Sequence, residues 1–324
     1  MLAAAVVAIN PDEPLAGLAV GEQPEPVAAD GWVTVSVRAA ALNHHDLFSL
    51  RGVGLPAERL PMILGCDAAG VAEDGTEVLV HAVIGDPAAG GGDETLDPKR
   101  TLLSELHPGT LAERVTVPAR NLVPKPASLS WEEAACLPTA WLTAYRMLFT
   151  KSGLPADGGG KVLIQGAGGG VATAALLLAK AAGHTVFVTS RDEAKRKRAL
   201  GLGADAALET GARVPARVDA VMETVGAATW SHSLKSLRPG GTVVCSGSTS
   251  GPNPPADLQR VFFLQLTVAG STMGTRDELA ALVAFLDRTG VRPLIDDVRP
   301  LAAARVSFER LAQGDQFGKL VLTA

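Results

Sequence analysis

Residues 161–172 read KVLIQGAGGGVA, an apolar run followed by a glycine-rich loop and then by small residues. The apolar run is typical of a buried strand, and residues 171–182 are typical of a helix that ends at Gly183. Glycines between such elements let backbone N–H groups approach a pyrophosphate, whose negative charge the helix N-terminus favours. We therefore predict a dinucleotide site here, with Ala172 in place of the last glycine of the usual motif. The predicted contacts are Gly166, Gly168, Gly169, Gly170 and Val171.

The segments that follow this loop alternate between strands and helices. Apolar, β-branched runs predict further strands at residues 185–189, 218–223, 242–246 and 266–270. The charged segment 192–202 predicts a helix between them, and such alternation indicates an α/β fold with a parallel sheet. Before residue 126 the elements are instead short, β-like and rich in Pro and Gly, as in the alternating residues 32–40.

The end of the second predicted strand reads Thr189-Ser190-Arg191. Proteins that bind NAD commonly place a carboxylate at this point to hold the ribose 2′-hydroxyl, whereas a hydroxyl and a guanidinium suit a 2′-phosphate. Lys195 lies one helical turn beyond Arg191 and adds positive charge. Ser190, Arg191 and Lys195 therefore predict NADP(H) as the cofactor. Asp192 keeps NAD open as an alternative, since a small shift in register would bring its carboxylate to the ribose.

Composition limits the classes of protein to which the chain can belong. Its 324 residues are 47% hydrophobic and 19% charged, as expected for a globular protein of two domains. A net charge of −5 argues against general nucleic-acid binding, and no apolar run reaches the roughly 18 residues of a membrane span. Residues 1–10 are apolar but lack a basic start, which favours a first strand over a signal peptide. The three sparse cysteines predict reduced thiols and a cytoplasmic location.

Further ordered motifs lie on both sides of the glycine loop. They occupy residues 42–52 (LNHHDLFSLRG), 61–70 (PMILGCDAAG), 124–126 (PKP), 137–145 (LPTAWLTAY), 238–241 (RPGG) and 317–322 (FGKLVL). In order and spacing the chain resembles the medium-chain dehydrogenase/reductases, and within them the zinc-independent quinone oxidoreductases. The resemblance begins near residue 30 and continues to the C-terminus.

The resemblance implies a particular domain arrangement. A GroES-like, mostly-β catalytic domain would comprise residues 1–126 and 278–324, and a Rossmann domain with a doubly wound parallel sheet would comprise residues 127–277. The active site is then expected in the cleft between the domains. The resemblance also implies a homodimer that forms through the edge of the Rossmann sheet, at residues 266–274.

Zinc-dependent members of this family carry zinc ligands at positions that read Asn43, Cys66-Asp67 and Thr139 here. Only Cys66 is a good ligand, and catalytic zinc needs three protein ligands and an open position. We therefore predict that no metal is bound. A different metal site built from Cys66 with His44, His45 and Asp67 stays open as an alternative.

Residues 85–109 correspond to the segment in which zinc-dependent relatives hold a structural zinc. Such a site needs four closely spaced cysteines, and this segment contains none. Its chemistry-bearing residues are therefore interpreted as parts of a solvated loop: Asp93, Glu94, Asp97 and His107.

Without zinc to polarise an alcohol, hydride addition to a conjugated carbonyl is the easier reaction. We predict that the chain reduces small hydrophobic quinones or α,β-unsaturated carbonyl compounds by hydride transfer from NADPH. The candidate catalytic residues are Asn43, His45, Asp46 and Trp141. Asn43 would donate a hydrogen bond to a substrate oxygen, and His45 would donate a proton. Packing against backbone is the alternative for His45, and core packing rather than a pocket wall is the alternative for Trp141.

The nicotinamide half of the cofactor has its own candidate contacts. Residues 246–248 follow a predicted strand, where the fold places nicotinamide-binding backbone. The resemblance adds a contact near the domain bridge and others after the last Rossmann strand. Together these candidates are Thr143, Ser246, Gly247, Ser248, Ser271, Met273 and Lys319.

Two other functions are compatible with the same motifs. The first is an alcohol or aldehyde dehydrogenase with a nonstandard metal site, which sensitivity to a chelator would distinguish from the reductase. The second is a nucleotide-binding sensor without catalysis, because no obligatory catalytic residue is evident in the sequence.

Overall fold

The computed structural model describes every residue, Met1–Ala324, and divides the chain into two compact units. The first unit comprises residues 1–142 and 275–324, and the second comprises residues 143–274. The first boundary lies beyond the position near residue 126 at which the composition changes. The helix Trp131–Ala135 accounts for this difference, because it packs on strands Trp32–Ala41 and Ala68–Ala72 of the first unit.

The strands have two to ten residues in the first unit and three to nine residues in the parallel sheet of the second. In chain order, β1 to β18 are Leu2–Val6, Leu18–Glu22, Trp32–Ala41, Met62–Ile63, Ala68–Ala72, Glu77–Val80, Val83–Ile84, Thr101–Leu102, Arg114–Pro118, Leu122–Pro124, Lys161–Ile164, Thr185–Thr189, Ala206–Leu208, Val218–Glu223, Leu237–Cys245, Thr267–Gly270, Ile295–Pro300 and Lys319–Thr323.

The chain also contains nine α-helices. In chain order, α1 to α9 are His44–Leu50, Trp131–Ala135, Leu142–Arg146, Gly170–Ala181, Glu193–Gly201, Ala227–Ser236, Leu258–Phe263, Arg276–Thr289 and Ala304–Gln313. No helix combines the length and the apolar character that are needed to cross a bilayer.

The first unit is built around a seven-stranded sheet in the order β10-β6-β5-β3-β18-β17, with β9 also paired to β3. Strand β3 shows the predicted alternation: Val35 and Val37 are buried, whereas Ser36 and Arg38 are exposed. The C-terminal strand β18 runs antiparallel to β3, with Val321 opposite Ala41. This pairing makes the C-terminal segment part of the N-terminal unit, as the resemblance implies.

The second unit contains the predicted parallel sheet, in the order β13-β12-β11-β14-β15-β16. Its first strand β11 is central, and the chain order runs outward from it in both directions. This is the order of a doubly wound dinucleotide-binding sheet, in which ligands bind beyond the carboxyl ends of the strands, at the point where the order reverses. The prediction of a Rossmann-type sheet is therefore confirmed, and its reversal point lies between β11 and β14.

Strand β16 lies at the edge of this sheet, and apolar side chains near it are exposed. They are Leu258, Phe262, Phe263 and Val268. An exposed strand edge with apolar neighbours is a surface that proteins usually cover. The homodimer expected at residues 266–274 stays a prediction.

Candidate functional site

The glycine-rich loop connects β11 to α4 in the second unit and has room for a ligand. Gly166 has φ +89°, a conformation that favours glycine, and α4 begins at Gly170 with Gly169 as its N-cap residue. A Cβ atom built at Gly166 or Gly169 would have no atom within 4 Å, so the space beside the loop is open. Because the first N–H groups of a helix lack intrahelical partners, this end of α4 fits the pyrophosphate of a dinucleotide.

The end of β12 provides the positive charge expected for a 2′-phosphate. Arg191 is exposed, and the carbonyl oxygen of Ser190 accepts a hydrogen bond of 2.7 Å from the guanidinium of Arg196. The carboxylate of Asp192 instead caps helix α5, where its Oδ1 accepts from the N–H groups of Ala194 and Lys195 at 2.7 and 3.2 Å. This cap argues against the alternative in which Asp192 holds the ribose 2′-hydroxyl.

The predicted nicotinamide contacts follow β15 and β16, at the same carboxyl edge of the sheet as the glycine loop. The hydroxyl of Ser246 donates to the Met147 sulfur at 3.0 Å. The Ser271 N–H is bonded to the Cys245 carbonyl at 2.9 Å, whereas the Ser271 hydroxyl is buried without a partner. An unpartnered buried hydroxyl is costly, so Ser271 fits the prediction of a ligand contact.

The other predicted contacts of this group differ in their surroundings. Ser248 is exposed, and Met273 has φ +48°, a rare conformation for a residue with a side chain. A Cβ atom at Gly247 would lie 3.0 Å from the Thr224 carbonyl oxygen, so glycine is favoured there. Thr143 is buried in α3.

In the first unit, a buried lysine lies where the resemblance places the zinc ligands. The ammonium of Lys319 donates to Leu42 O at 2.7 Å, to Asn43 Oδ1 at 2.7 Å and to Asp67 Oδ2 at 2.9 Å. The side chains of Lys319 and Asp67 are 2% and 0% exposed. The antiparallel register of β3 and β18 brings them together, because Ala41 opposite Val321 sets Asn43 opposite Lys319.

This geometry corrects two predicted roles. All three protons of the Lys319 ammonium are used within the cluster, so Lys319 is a structural cation here rather than a cofactor contact. Both donors of the Asn43 amide are also used, since Nδ2 donates to Asp67 Oδ2 at 2.9 Å and to Ala41 O at 3.4 Å. Asn43 therefore orders the cluster and has no amide proton left for a substrate oxygen. Sequence reasoning considered Asp67 only as part of an alternative metal site and did not predict its ion pair with Lys319.

Asp46 is fully buried beside this cluster. Its Oδ2 accepts from the backbone N–H of Asn43 at 2.8 Å in a capping box of α1, and its Oδ1 has no partner. Burial is the main cause that raises the pKa of Asp46 to about 7; the nearby Asp67 charge adds to this net shift, whereas the hydrogen bond from Asn43 and the Lys319 ammonium oppose it. Because no part of its side chain is exposed, Asp46 is corrected from a catalytic residue to one that positions Asn43.

His45 and Trp141 also differ from their predicted roles. Burial lowers the pKa of His45 to about 4, so its imidazole is largely neutral at pH 7. Its Nε2 lies 3.6 Å from Glu105 Oε1, too far for a hydrogen bond. Trp141 is 0% exposed and its indole N–H has no partner, which agrees with the alternative of core packing.

The donor set in this region does not fit zinc. The Cys66 thiol donates to the Leu103 carbonyl at 3.3 Å, and burial raises its pKa well above the usual range, whereas zinc requires the thiolate. The Thr139 hydroxyl lies 3.5 Å from the Cys66 carbonyl. The Lys319 ammonium, bonded to Asn43, would place a second cation beside any bound metal.

The segment 85–109 is only partly the solvated loop that its composition predicts, since Asp93 and His107 are half-buried and two of its carboxylates are buried. Glu94 and Asp97 are each only 5% exposed. Glu94 Oε1 accepts from the Arg276 backbone N–H at 2.6 Å, and Asp97 Oδ2 accepts from the Asp86 N–H at 2.8 Å. These carboxylates satisfy buried backbone donors, which is why an acidic segment can pack closely. A cavity of about 380 Å³ lies beside Glu94.

Comparisons with known proteins agree with this two-unit arrangement. The model of the alcohol dehydrogenase GroES-like domain matches residues 29–127, and the model of the zinc-binding dehydrogenase family matches residues 170–288. The first match confirms the predicted GroES-like assignment. A zinc-type alcohol dehydrogenase-like protein of Leptosphaeria maculans, YogA, is 29% identical, and the alignment covers 92% of each chain.

Two solved structures extend the comparison. The structure of an NAD-dependent alcohol dehydrogenase has a TM-score of 0.89 and 32% identity, covering 100% of both chains. A 2-octenoyl-CoA carboxylase reductase in complex with NADP and 2-octenoyl-CoA has a TM-score of 0.91 and 26% identity, covering 100% of this chain and 87% of the other. Both structures span the two units of this chain.

Proposed function

Because this chain belongs to the medium-chain dehydrogenase/reductase superfamily, we propose that it uses NADPH to reduce α,β-unsaturated carbonyl compounds or quinones without zinc. The buried Lys319 ammonium, bonded to Asn43 and Asp67, carries this proposal. A Lewis acid that stabilises the alkoxide favours alcohol oxidation, and this donor set does not fit one. Reduction of a conjugated double bond needs only a positioned hydride donor and a proton source.

The residues of the second unit bind and orient the cofactor in this proposal. The glycine loop and the start of α4 hold the pyrophosphate, while Ser190, Arg191 and Lys195 hold the 2′-phosphate. Residues 246–248 and 271–273 orient the nicotinamide, which supplies the hydride when the cofactor is bound. His45 is largely neutral at pH 7 and Asp46 is fully buried, so we assign the proton to water.

Activated thioesters are the first substrates to consider. The octenoyl-CoA reductase that resembles this chain was solved with NADP and an enoyl-CoA, whose double bond is conjugated to a carbonyl. That complex gives no such support to quinones, which are therefore the second substrate class to test. A second candidate function, alcohol oxidation with NAD, is favoured by the likeness to an NAD-dependent alcohol dehydrogenase.

Oxidation of NADPH and NADH by the purified protein tests the proposal. The panel contains an enoyl-CoA thioester, a simple enone, a quinone and an aldehyde, each with and without a metal chelator. We expect turnover of a conjugated substrate that prefers NADPH and is insensitive to the chelator. Activity that disappears with the chelator, or that requires an alcohol and NAD, would establish the second function instead.

The choice of cofactor gives a separate prediction for Arg191. Replacing it by alanine is expected to raise the Kd for NADPH about 10- to 100-fold, because a charged hydrogen bond to the 2′-phosphate contributes about 1.5–3 kcal/mol. The Kd for NADH should change little. Fluorescence titration measures both values. Lys197→Ala is the matched control, since Lys197 is exposed on the helix that follows Arg191 and pairs with Glu193 at 2.7 Å. Equal weakening of NADPH and NADH would contradict the assigned role.

A further inference from the structure

A chain of hydrogen bonds runs beneath the glycine loop in the second unit. The Gly166 N–H donates to Thr189 Oγ1 at 3.3 Å, and the Thr189 hydroxyl donates to Gln165 Oε1 at 2.7 Å. Gln165 Nε2 lies 2.9 Å from both His232 Nδ1 and Ser233 Oγ. Gln165 and Thr189 are 1% and 0% exposed, so water does not compete for these bonds.

This chain of hydrogen bonds ends on a buried carboxylate. The Ser233 hydroxyl donates to Glu223 Oε2 at 2.5 Å. Glu223 is 0% exposed at the end of β14, and it also accepts from the N–H groups of Val225 and Gly226 and from the Thr229 hydroxyl. A buried carboxylate is tolerated only when hydrogen bonds replace its water, and these donors do so. Glu223 is therefore a fixed end of the chain.

The donors and acceptors allow one direction along the chain. The Ser233 proton points to Glu223, so its oxygen accepts from the Gln165 amide. His232 Nε2 lies 2.8 Å from the Ala212 carbonyl and must carry the proton there, which leaves Nδ1 as the acceptor for Gln165. The Gln165 carbonyl therefore faces Thr189 and accepts a hydrogen bond from the Thr189 hydroxyl. The Thr189 oxygen then faces the Gly166 N–H as an acceptor.

The chain joins two parts of the nucleotide site that are far apart in sequence. Gly166 is the first residue of the loop, and its side is open, with no atom within 4 Å of a Cβ position. A loop of glycines has no side chains with which to fix its own conformation. Thr189 ends β12, directly before Ser190 and Arg191, the proposed 2′-phosphate residues. The hydrogen bond between Thr189 and Gly166 therefore fixes the glycine loop relative to the proposed 2′-phosphate residues.

We propose that Gln165 and Thr189 are positioning residues that preorganise the glycine loop for the dinucleotide, with Glu223 as their anchor. The role rests on the proposed function, since it assumes that the loop binds NADPH. Both side chains are buried, so we assign them no direct contact with the nucleotide. Their contribution is to hold the loop in its binding conformation before the nucleotide arrives, which raises affinity by removing an ordering step.

The test compares Thr189→Val with Thr189→Ser. Valine keeps the shape of threonine but removes the hydroxyl, whereas serine keeps the hydroxyl. We expect Thr189→Val to raise the Kd for NADPH about 10-fold or more, and Thr189→Ser to change it less than about threefold. Titration is done at a temperature where both variants are fully folded, and Tm is measured without nucleotide. At saturating NADPH, kcat should stay near the wild-type value while KM for NADPH rises.

Gln165→Met provides a second variant of similar length without the amide. Its Kd for NADPH should rise as in Thr189→Val. The double variant, Gln165→Met with Thr189→Val, should have a Kd no higher than the higher of the two single-variant values, because both changes break the same chain of hydrogen bonds. A lower Tm with unchanged Kd in either single variant would reduce the chain to a structural role and overturn the inference. If the wild type binds neither NADPH nor NADH, the proposed dinucleotide site itself is wrong. The two failures are therefore distinguishable.

Discussion

Replacing Lys319 by methionine is expected to lower the free energy of unfolding by about 3–5 kcal/mol, the effect of breaking a buried ion pair from one side. Methionine fills much of the same volume, so the loss comes from electrostatics rather than from a cavity. The variant leaves Asp67, which is 0% exposed, with a buried charge whose main partner is gone. It also removes the donors that hold Asn43 Oδ1 and the Leu42 carbonyl.

Urea unfolding at constant pH measures this loss. Lys180→Met is the matched control, because Lys180 also pairs with an aspartate at 2.8 Å but on the surface, where such a pair contributes about 0–1 kcal/mol. The double variant Lys319→Met with Asp67→Asn should recover part of the stability, since it leaves neither charge buried alone. If Lys319→Met were no more destabilising than Lys180→Met, the cluster would not be the buried charge pair that the proposed function assumes.

The parts of the fold that follow local patterns were accessible from the sequence. The glycine loop between an apolar strand and a small-residue helix predicted β11 and α4, and the alternation of strands and helices after it predicted a parallel sheet. The alternation of Val35 and Val37 with polar residues predicted β3 in the same way. In each case neighbours in the sequence are neighbours in space, so periodicity carries the information.

The interior of the candidate site was less accessible, because its contacts join distant residues. Lys319 and Asn43 are brought together by the pairing of β18 with β3, and no local pattern near either residue reports that pairing. Glu94 was interpreted as solvated because its neighbours are polar, yet its partner is the backbone of Arg276 at the start of α8. A carboxylate that satisfies a distant N–H group cannot be distinguished by composition from one that faces water.

The motif near Asn43 shows the same limit for chemical roles. The sequence predicts that Asn43, His45 and Asp46 share one site, and all three do lie at the start of α1. Their protonation and hydrogen bonds depend on burial, which the motif does not determine. Burial lowers the pKa of His45 to about 4 and raises that of Asp46 to about 7, and the motif alone predicts neither shift.

Asp46→Asn is expected to gain stability over the wild type as pH rises. The pKa of Asp46 is about 7 in the folded chain and about 3.9 in an unfolded one, so the folded state binds the extra proton between these values. The stability that protonated Asp46 contributes to the folded state is therefore fully present below about pH 4 and is lost as pH rises through about 7. Asparagine does not titrate. The unfolding free energy of the variant minus that of the wild type should increase by about 2–3 kcal/mol from pH 5 to pH 8.

Urea unfolding of both proteins across this range measures the effect, because titrating groups that do not interact with Asp46 cancel in the difference. The amide oxygen of the introduced asparagine can still accept from the Asn43 N–H, so the capping interaction is retained. Asp74→Asn serves as the control, because backbone hydrogen bonding from Thr76 lowers the pKa of Asp74. The unfolding free energy of Asp74→Asn minus that of the wild type should change only below about pH 5 and should be constant from there to pH 8.

Parallel pH profiles for Asp46→Asn and the wild type would mean that Asp46 is ionised throughout this range. Asp46 and Asp67 would then place two negative charges in a fully buried cluster whose one ammonium belongs to Lys319. Because a buried charge without a partner is costly, a further cation would be needed to balance them. That outcome would favour the metal-dependent dehydrogenase over the zinc-free reductase, so the titration of Asp46 also tests the charge balance on which the proposed function depends.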